Sequence, residues 1–152
     1  MGQTIDVYSG KYLSIKQAVQ IHIEGDTNIG ALIASSTSKL KAHNISITGT
    51  PIIWEMINFD GRNINLERKI ILQYSGNAED IPAGFVKKES QKIGPCMYAR
   101  FNGIEENLIY ASQKVSVFAY ENEINLKKES YTVYVEKNKD VATIDIFIPY
   151  ED

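Results

Sequence analysis

Chemistry is most readily sought where an acidic residue sits inside an apolar run, and Trp54-Glu55-Met56-Ile57 supplies such a place. Glu55 is read here as the only acidic residue so embedded. Its carboxyl either points to solvent from the outer face of a strand or is held out of water, where it can exchange a proton or attract a cation. Trp54 beside it is either a core residue or a platform for a flat ring. Tyr98, Tyr110, Tyr120, Tyr131 and Tyr134 make the second half of the chain rich in rings with polar tips. Such rings suit a binding surface, or a core whose hydroxyls reach solvent. His22 and His43 lie far apart with no Cys or carboxylate at ligand spacing, so no metal is expected. No nucleophile-base motif, Gly-rich phosphate loop or pair of carboxylates within one apolar segment occurs, so no catalytic residue is assigned and no cofactor is implied.

The elements that must carry these residues repeat. From Ser14 to Glu24, Ile15, Gln17, Val19, Ile21 and Ile23 alternate with Lys16, Ala18, Gln20, His22 and Glu24, the period of a half-buried strand. Asp26 or Thr27 is placed to cap a helix whose stripe is Ile29, Ile33, Ser36 and Leu40. Ser35-Ser36-Thr37-Ser38 is a weak helix former, so either packing overrides propensity there or small side chains are wanted for a close approach. Strands are expected at Ile52 to Ile57 and Arg68 to Tyr74, with turn residues Phe59 to Asn63 between them. The second half gives the same order. A strand at Cys96 to Phe101 follows a bulge or break at Gly94-Pro95. A helix then runs from about Ile104 to Glu123 with the stripe Leu108, Ala111, Val115, Phe118 and Asn122, and strands follow at Glu129 to Glu136 and Val141 to Pro149. Residues 1 to 12 read as a frayed or lightly docked terminus. The fold class is therefore α+β: a βαββ module written twice, with an antiparallel sheet and two main helices. Residues 1–152 form a single domain, with a first repeat at about 13–75, a linker at 76–84 and a second repeat at about 85–150.

A chain of 152 residues has room for a proper core. Its net charge of -3, with both signs interspersed, gives no extended basic surface, so direct nucleic-acid binding is not expected. Cys96 has no partner thiol and suits a reducing, cytoplasmic setting as a small buried hydrophobe. No apolar run reaches the length of a membrane span, and Met1-Gly2-Gln3 does not open a signal peptide. Asp6 stands where a myristoylation motif wants Ser or Thr. A homodimer is left open.

The duplicated order, Gly49-Thr50-Pro51 before a strand, Tyr131-Thr132-Val133-Tyr134, and the ending Ile146-Phe147-Ile148-Pro149-Tyr150-Glu151 together resemble the GyrI-like proteins. These share their fold with the effector-binding domains of multidrug-sensing bacterial transcription activators. The resemblance implies a pseudo-two-fold module that stands alone and binds a small planar apolar or cationic ligand in a cleft between its halves. Trp54, Glu55, Tyr98, Tyr110, Tyr131 and Tyr134 would be the lining. The acidic residue usual in the second half falls at Thr132 here, which leaves Glu55 as the counter-charge. Ile81-Pro82-Ala83-Gly84-Phe85 and Arg100-Phe101-Asn102-Gly103 also resemble a GyrI-like group of Firmicutes proteins that accompanies LXG toxins of type VII secretion. That resemblance implies an adaptor or immunity-type factor with a protein partner. Some GyrI-like proteins hydrolyse strained electrophilic rings, a third and lesser reading in which Glu55 would activate water.

Overall fold

A computed structural model describes residues 4–151, so the readings made on Met1-Gly2-Gln3 lie outside the described residues. The elements in chain order are β1 (Thr4–Ile15), β2 (Ala18–His22), α1 (Ile29–Lys41), β3 (Ile52–Asp60), β4 (Asn63–Gln73) and β5 (Val86–Lys88). They continue with β6 (Gln91–Gly103), a 3-10 turn at Glu105–Asn107, α2 (Leu108–Glu121), β7 (Asn125–Leu126), β8 (Glu129–Lys137) and β9 (Ala142–Glu151). Two compact units result, one of residues 14–91 and the other of residues 1–13 with 92–152. Their strand orders match. In the first, the sequence β2-α1-β3-β4 gives neighbours β3-β4-β2, with β5 on the far edge of β2. In the second, β6-α2-β8-β9 gives β8-β9-β6, with β1 on the far edge of β6. The duplicated, antiparallel βαββ architecture expected from the periodicity is the one observed.

Several local expectations are corrected. Residues 4–12 are not frayed, because Ile5 and Val7 alternate with Asp6 and Tyr8 and pack against Met97 and Ala99 of β6. The strand predicted over 14–24 breaks at Lys16-Gln17, where the Lys16 amide donates to the Gln73 side chain and the Gln17 carbonyl accepts from Tyr74. The cap of α1 is Asn28, whose side chain accepts from the Ala31 amide at 3.0 Å, and neither Asp26 nor Thr27 fills that role. The polar stretch of α1 stays helical because Ser35 and Thr37 turn their hydroxyls back onto the carbonyls of Leu32 and Ile33 while Ser36 is buried. The helical pattern predicted from Ile104 starts only at Leu108, after the 3-10 turn. Gly94-Pro95 does not interrupt β6. The ring of Tyr12 occupies the space a Cβ at residue 94 would need, so glycine there permits close approach of β1.

The core of the second unit lies between β6-β9-β8 and α2. Phe101, Ile144, Ile146 and Ala142 meet Ala111 of the helix, and Met97 and Ala99 meet Val115. In the first unit the buried residues are Val19, Leu40, Ile52, Ile53, Ile70, Ile71, Leu72 and Tyr74.

Candidate functional site

Cross-strand pairing decides which side chains share a face, since directly opposed residues point to the same side and consecutive ones to opposite sides. In the second unit, Tyr98 of β6 pairs Phe147 of β9, which pairs Tyr131 of β8. These three rings form one row. The neighbouring row is Arg100, Asp145 and Val133. Both rows lie on the side away from α2, because the intervening residues Ala99, Phe101, Ile144 and Ile146 build the helix-facing core. Tyr8 of β1 joins this face, its ring stacked 6.2 Å from that of Tyr98, and Phe147 packs on the other side of Tyr98 at 4.9 Å.

Asp145 is the polar anchor of the face and is only 8% exposed. Its Oδ1 accepts from Arg100 Nε at 2.7 Å and from the Tyr98 hydroxyl at 2.9 Å, and its Oδ2 accepts from Arg100 Nη2 at 2.9 Å. This bidentate pairing, with the carboxylate charge beside it, keeps the guanidinium well above its ordinary pKa. Burial, and then the bond to Asp145, push the Tyr98 phenol upward. Burial raises Tyr131 to about 12, with the Glu129 charge adding to it. Burial likewise raises Cys96 to about 11, so that thiol is a buried hydrophobe in the protonated form.

The sequence-predicted residues thus divide. Tyr98 and Tyr131 meet in one row, whereas Tyr134 stands on the helix-facing side of β8, packed against the Phe101 cluster. Its hydroxyl bonds the Glu105 carboxylate. Lys137, 2.9 Å from Glu105, is the main cause of that carboxyl lying below its usual range, and the Tyr134 bond adds to the effect. Tyr110 is exposed on α2. Thr132 points with Ala99 and Ile146 to the helix side. Sequence reasoning missed Tyr8, Phe147, Arg100 and above all Asp145. The reading of Glu55 as the only embedded acid is corrected, because Ile144-Asp145-Ile146 buries a second one.

In the first unit Trp54 and Glu55 are consecutive residues of an unbroken strand register, so they cannot share a face. Trp54 lies in a row with Lys69 and His22, and the Lys69 ammonium sits 5.0 Å from its ring centre. Glu55 is paired across the strands with Arg68, between the row Ile53-Ile70 and the row Ile57-Leu66. Burial among these apolar rows raises its pKa, with Arg68 opposing the shift. Arg68 directs a guanidinium N–H to the Gly25 carbonyl at 2.9 Å. Among the described residues no cluster of His, Cys, Asp or Glu is arranged to hold a metal ion, and no helix is long and apolar enough to cross a membrane.

No family model and no curated protein matches the chain. Solved structures do. A chain of the EcmrR-DNA complex, from EcmrR-RPo, superposes with a TM-score of 0.66 at 9% identity over 97% of this chain, which spans 58% of that one. That complex contains DNA, so the comparison lends no support to excluding nucleic acid on the ground of net charge. SAV2435, solved bound to tetraphenylphosphonium, superposes with a TM-score of 0.53 at 12% identity over 99% of this chain and 94% of its own. At these identities the likeness is one of fold, and the fold is the GyrI-like one: α+β, antiparallel, with the βαββ module written twice.

Proposed function

We propose that this protein binds a small planar organic molecule, apolar or cationic, with strand-borne rings of the second unit as its stacking surface. The observation that carries the reading is the row Tyr98, Phe147 and Tyr131 with Tyr8 stacked at its end. Tyr131 is buried behind the row, while Tyr8 is exposed and Tyr98 and Phe147 are half-buried, so these three rings offer flat apolar area at little entropic cost. Asp145 on that face is spent on Arg100 and fixes Tyr98 in place. The fold likeness to a protein solved with tetraphenylphosphonium supports the same class of ligand.

The test is a titration followed by calorimetry, using tetraphenylphosphonium, a planar cationic dye and a neutral planar dye. Saturable binding is expected. Tyr98→Ala should weaken all three probes about tenfold or more, because it removes the central partly exposed ring of the stacking surface. Wild-type protein that binds none of the three probes would retire the reading in favour of a protein partner of the toxin-associated kind.

A further inference from the structure

We propose that the tip of the β3-β4 hairpin is a self-complementary surface through which a second copy of this chain docks edge to edge. The hairpin outruns its neighbour. The pairing of β2 with β4 ends at His22 and Lys69, with one further bond from the Ile23 amide to the Arg68 carbonyl. Beyond it, the outer edge of β4 from Asn63 to Glu67 pairs with no strand among the described residues. Because the Arg68 carbonyl points to that edge, alternation turns the N–H and C=O groups of Leu66 and Ile64 the same way. Free edges are commonly blunted by charged side chains, Pro or a bulge, and this five-residue edge has neither Pro nor bulge and only one charge, Glu67 at its end.

The exposed face of the hairpin is apolar. Ile57 pairs Leu66 and Phe59 pairs Ile64, so the four side chains form one contiguous patch. They are 42%, 55%, 63% and 68% exposed for Ile57, Leu66, Phe59 and Ile64 respectively. The opposite face carries Asn58 with Asn65 and Asp60 with Asn63. An amphipathic hairpin that turns its apolar side to water marks a contact surface.

The edge itself identifies the occupant. Asn63-Ile64-Asn65-Leu66-Glu67 reads polar, apolar, polar, apolar, polar in either direction, centred on Asn65. A two-fold contact needs a surface complementary to itself. An antiparallel pairing of two such edges about Asn65 sets Ile64 of each copy against Leu66 of the other, the only residues of the edge whose backbone groups face outward. About four inter-strand hydrogen bonds then form. The apolar patches join on one side. On the other, each Asn63 amide faces the Glu67 carboxylate of the second copy, a neutral donor meeting a charged acceptor with no like charges opposed. A five-residue edge and a patch of four side chains make a small contact, so the dimer is reversible and concentration-dependent.

Sedimentation velocity across a range of concentrations should show a monomer-dimer equilibrium. Leu66→Lys, which places a charge in the patch at an exposed position, should weaken it by about a hundredfold or more. Asn65→Cys puts two thiols at the two-fold axis, where opposed Cα atoms lie within disulfide reach, and should give a covalent dimer on mild oxidation. Asn58→Cys, on the same face but in the inner strand, should not. A wild type that stays monomeric throughout, a dimer indifferent to Leu66→Lys in a folded variant, or equal cross-linking at residues 58 and 65 would overturn the proposal. The cross-linking pair decides the matter if Leu66→Lys does not fold.

Discussion

Each unit places one acid directly across from one arginine on neighbouring strands, Asp145 with Arg100 and Glu55 with Arg68, and the two pairs behave differently. Asp145 is held by two guanidinium N–H groups and a phenol, and every lone pair it uses points at a protein donor. Across from Glu55, the Arg68 guanidinium gives a bond to the Gly25 carbonyl, while apolar rows on both sides of the acid raise its pKa. The side chains differ by one methylene, but the decisive difference is the surroundings. Where a tyrosine hydroxyl and a forked guanidinium converge, the acid becomes part of the framework. Where the arginine is engaged elsewhere, the acid stays responsive to whatever approaches it.

Breaking the locked pair should give the largest effect. Arg100→Ala leaves the Asp145 carboxylate nearly buried with one donor instead of three, and because the guanidinium is itself half exposed a loss of about 2 kcal/mol is expected. Denaturant unfolding reads it as a fall in midpoint at unchanged slope. The matching change in the other unit, Arg68→Ala, removes a solvent-exposed bond and should cost under about 1 kcal/mol. Equal losses at the two arginines would erase the contrast.

Tyrosine hydroxyls sharpen the same contrast at a smaller scale. Tyr98→Phe deletes one of the three donors to Asp145 and should cost about 1 to 1.5 kcal/mol. Tyr74 is fully buried in the first unit, and its hydroxyl has no hydrogen-bond partner among the described residues. Tyr74→Phe removes a polar atom without orphaning a partner, so it should be neutral or stabilise by up to about 1 kcal/mol. Thermal unfolding of the two variants side by side checks the opposite signs.

The architecture was legible because period-two and helical patterns recur in the same order in both halves, and those patterns follow from burial alone. Boundaries were less so. Residues 4–12 looked polar, yet Ile5 and Val7 are enough to seat a strand once Met97 and Ala99 offer a surface. Site residues were partly legible as types and poorly as places. Trp54-Glu55 reads as a unit along the chain, but a strand sends consecutive side chains to opposite faces, so adjacency in sequence is separation in space. Tyr98 and Tyr131 are far apart in sequence and come into one row only through Phe147, which is a matter of register that no local pattern encodes. Asp145 did have a signal, a lone acid between two isoleucines, equivalent to the one that drew attention to Glu55.

The smallest expected effect concerns the unlocked acid and has a sign that pH can reverse. Burial raises the Glu55 pKa in the folded state above its unfolded value, so the folded chain binds more protons than the unfolded chain between the two values. Stability therefore falls as pH rises through that window, and above it a constant penalty for the ionised carboxylate remains. Below the unfolded value both states are protonated and the penalty is gone. Glu55→Gln should accordingly stabilise the protein near neutral pH, by under about 1 kcal/mol for a group that stays partly solvated, and the gain should vanish in acid. Melting curves of the two proteins across the carboxylate range measure it. A Gln variant less stable than wild type at neutral pH would mean that the Glu55 charge is held by Arg68 after all, and the distinction between a locked and a responsive acid would then collapse into two structural pairs.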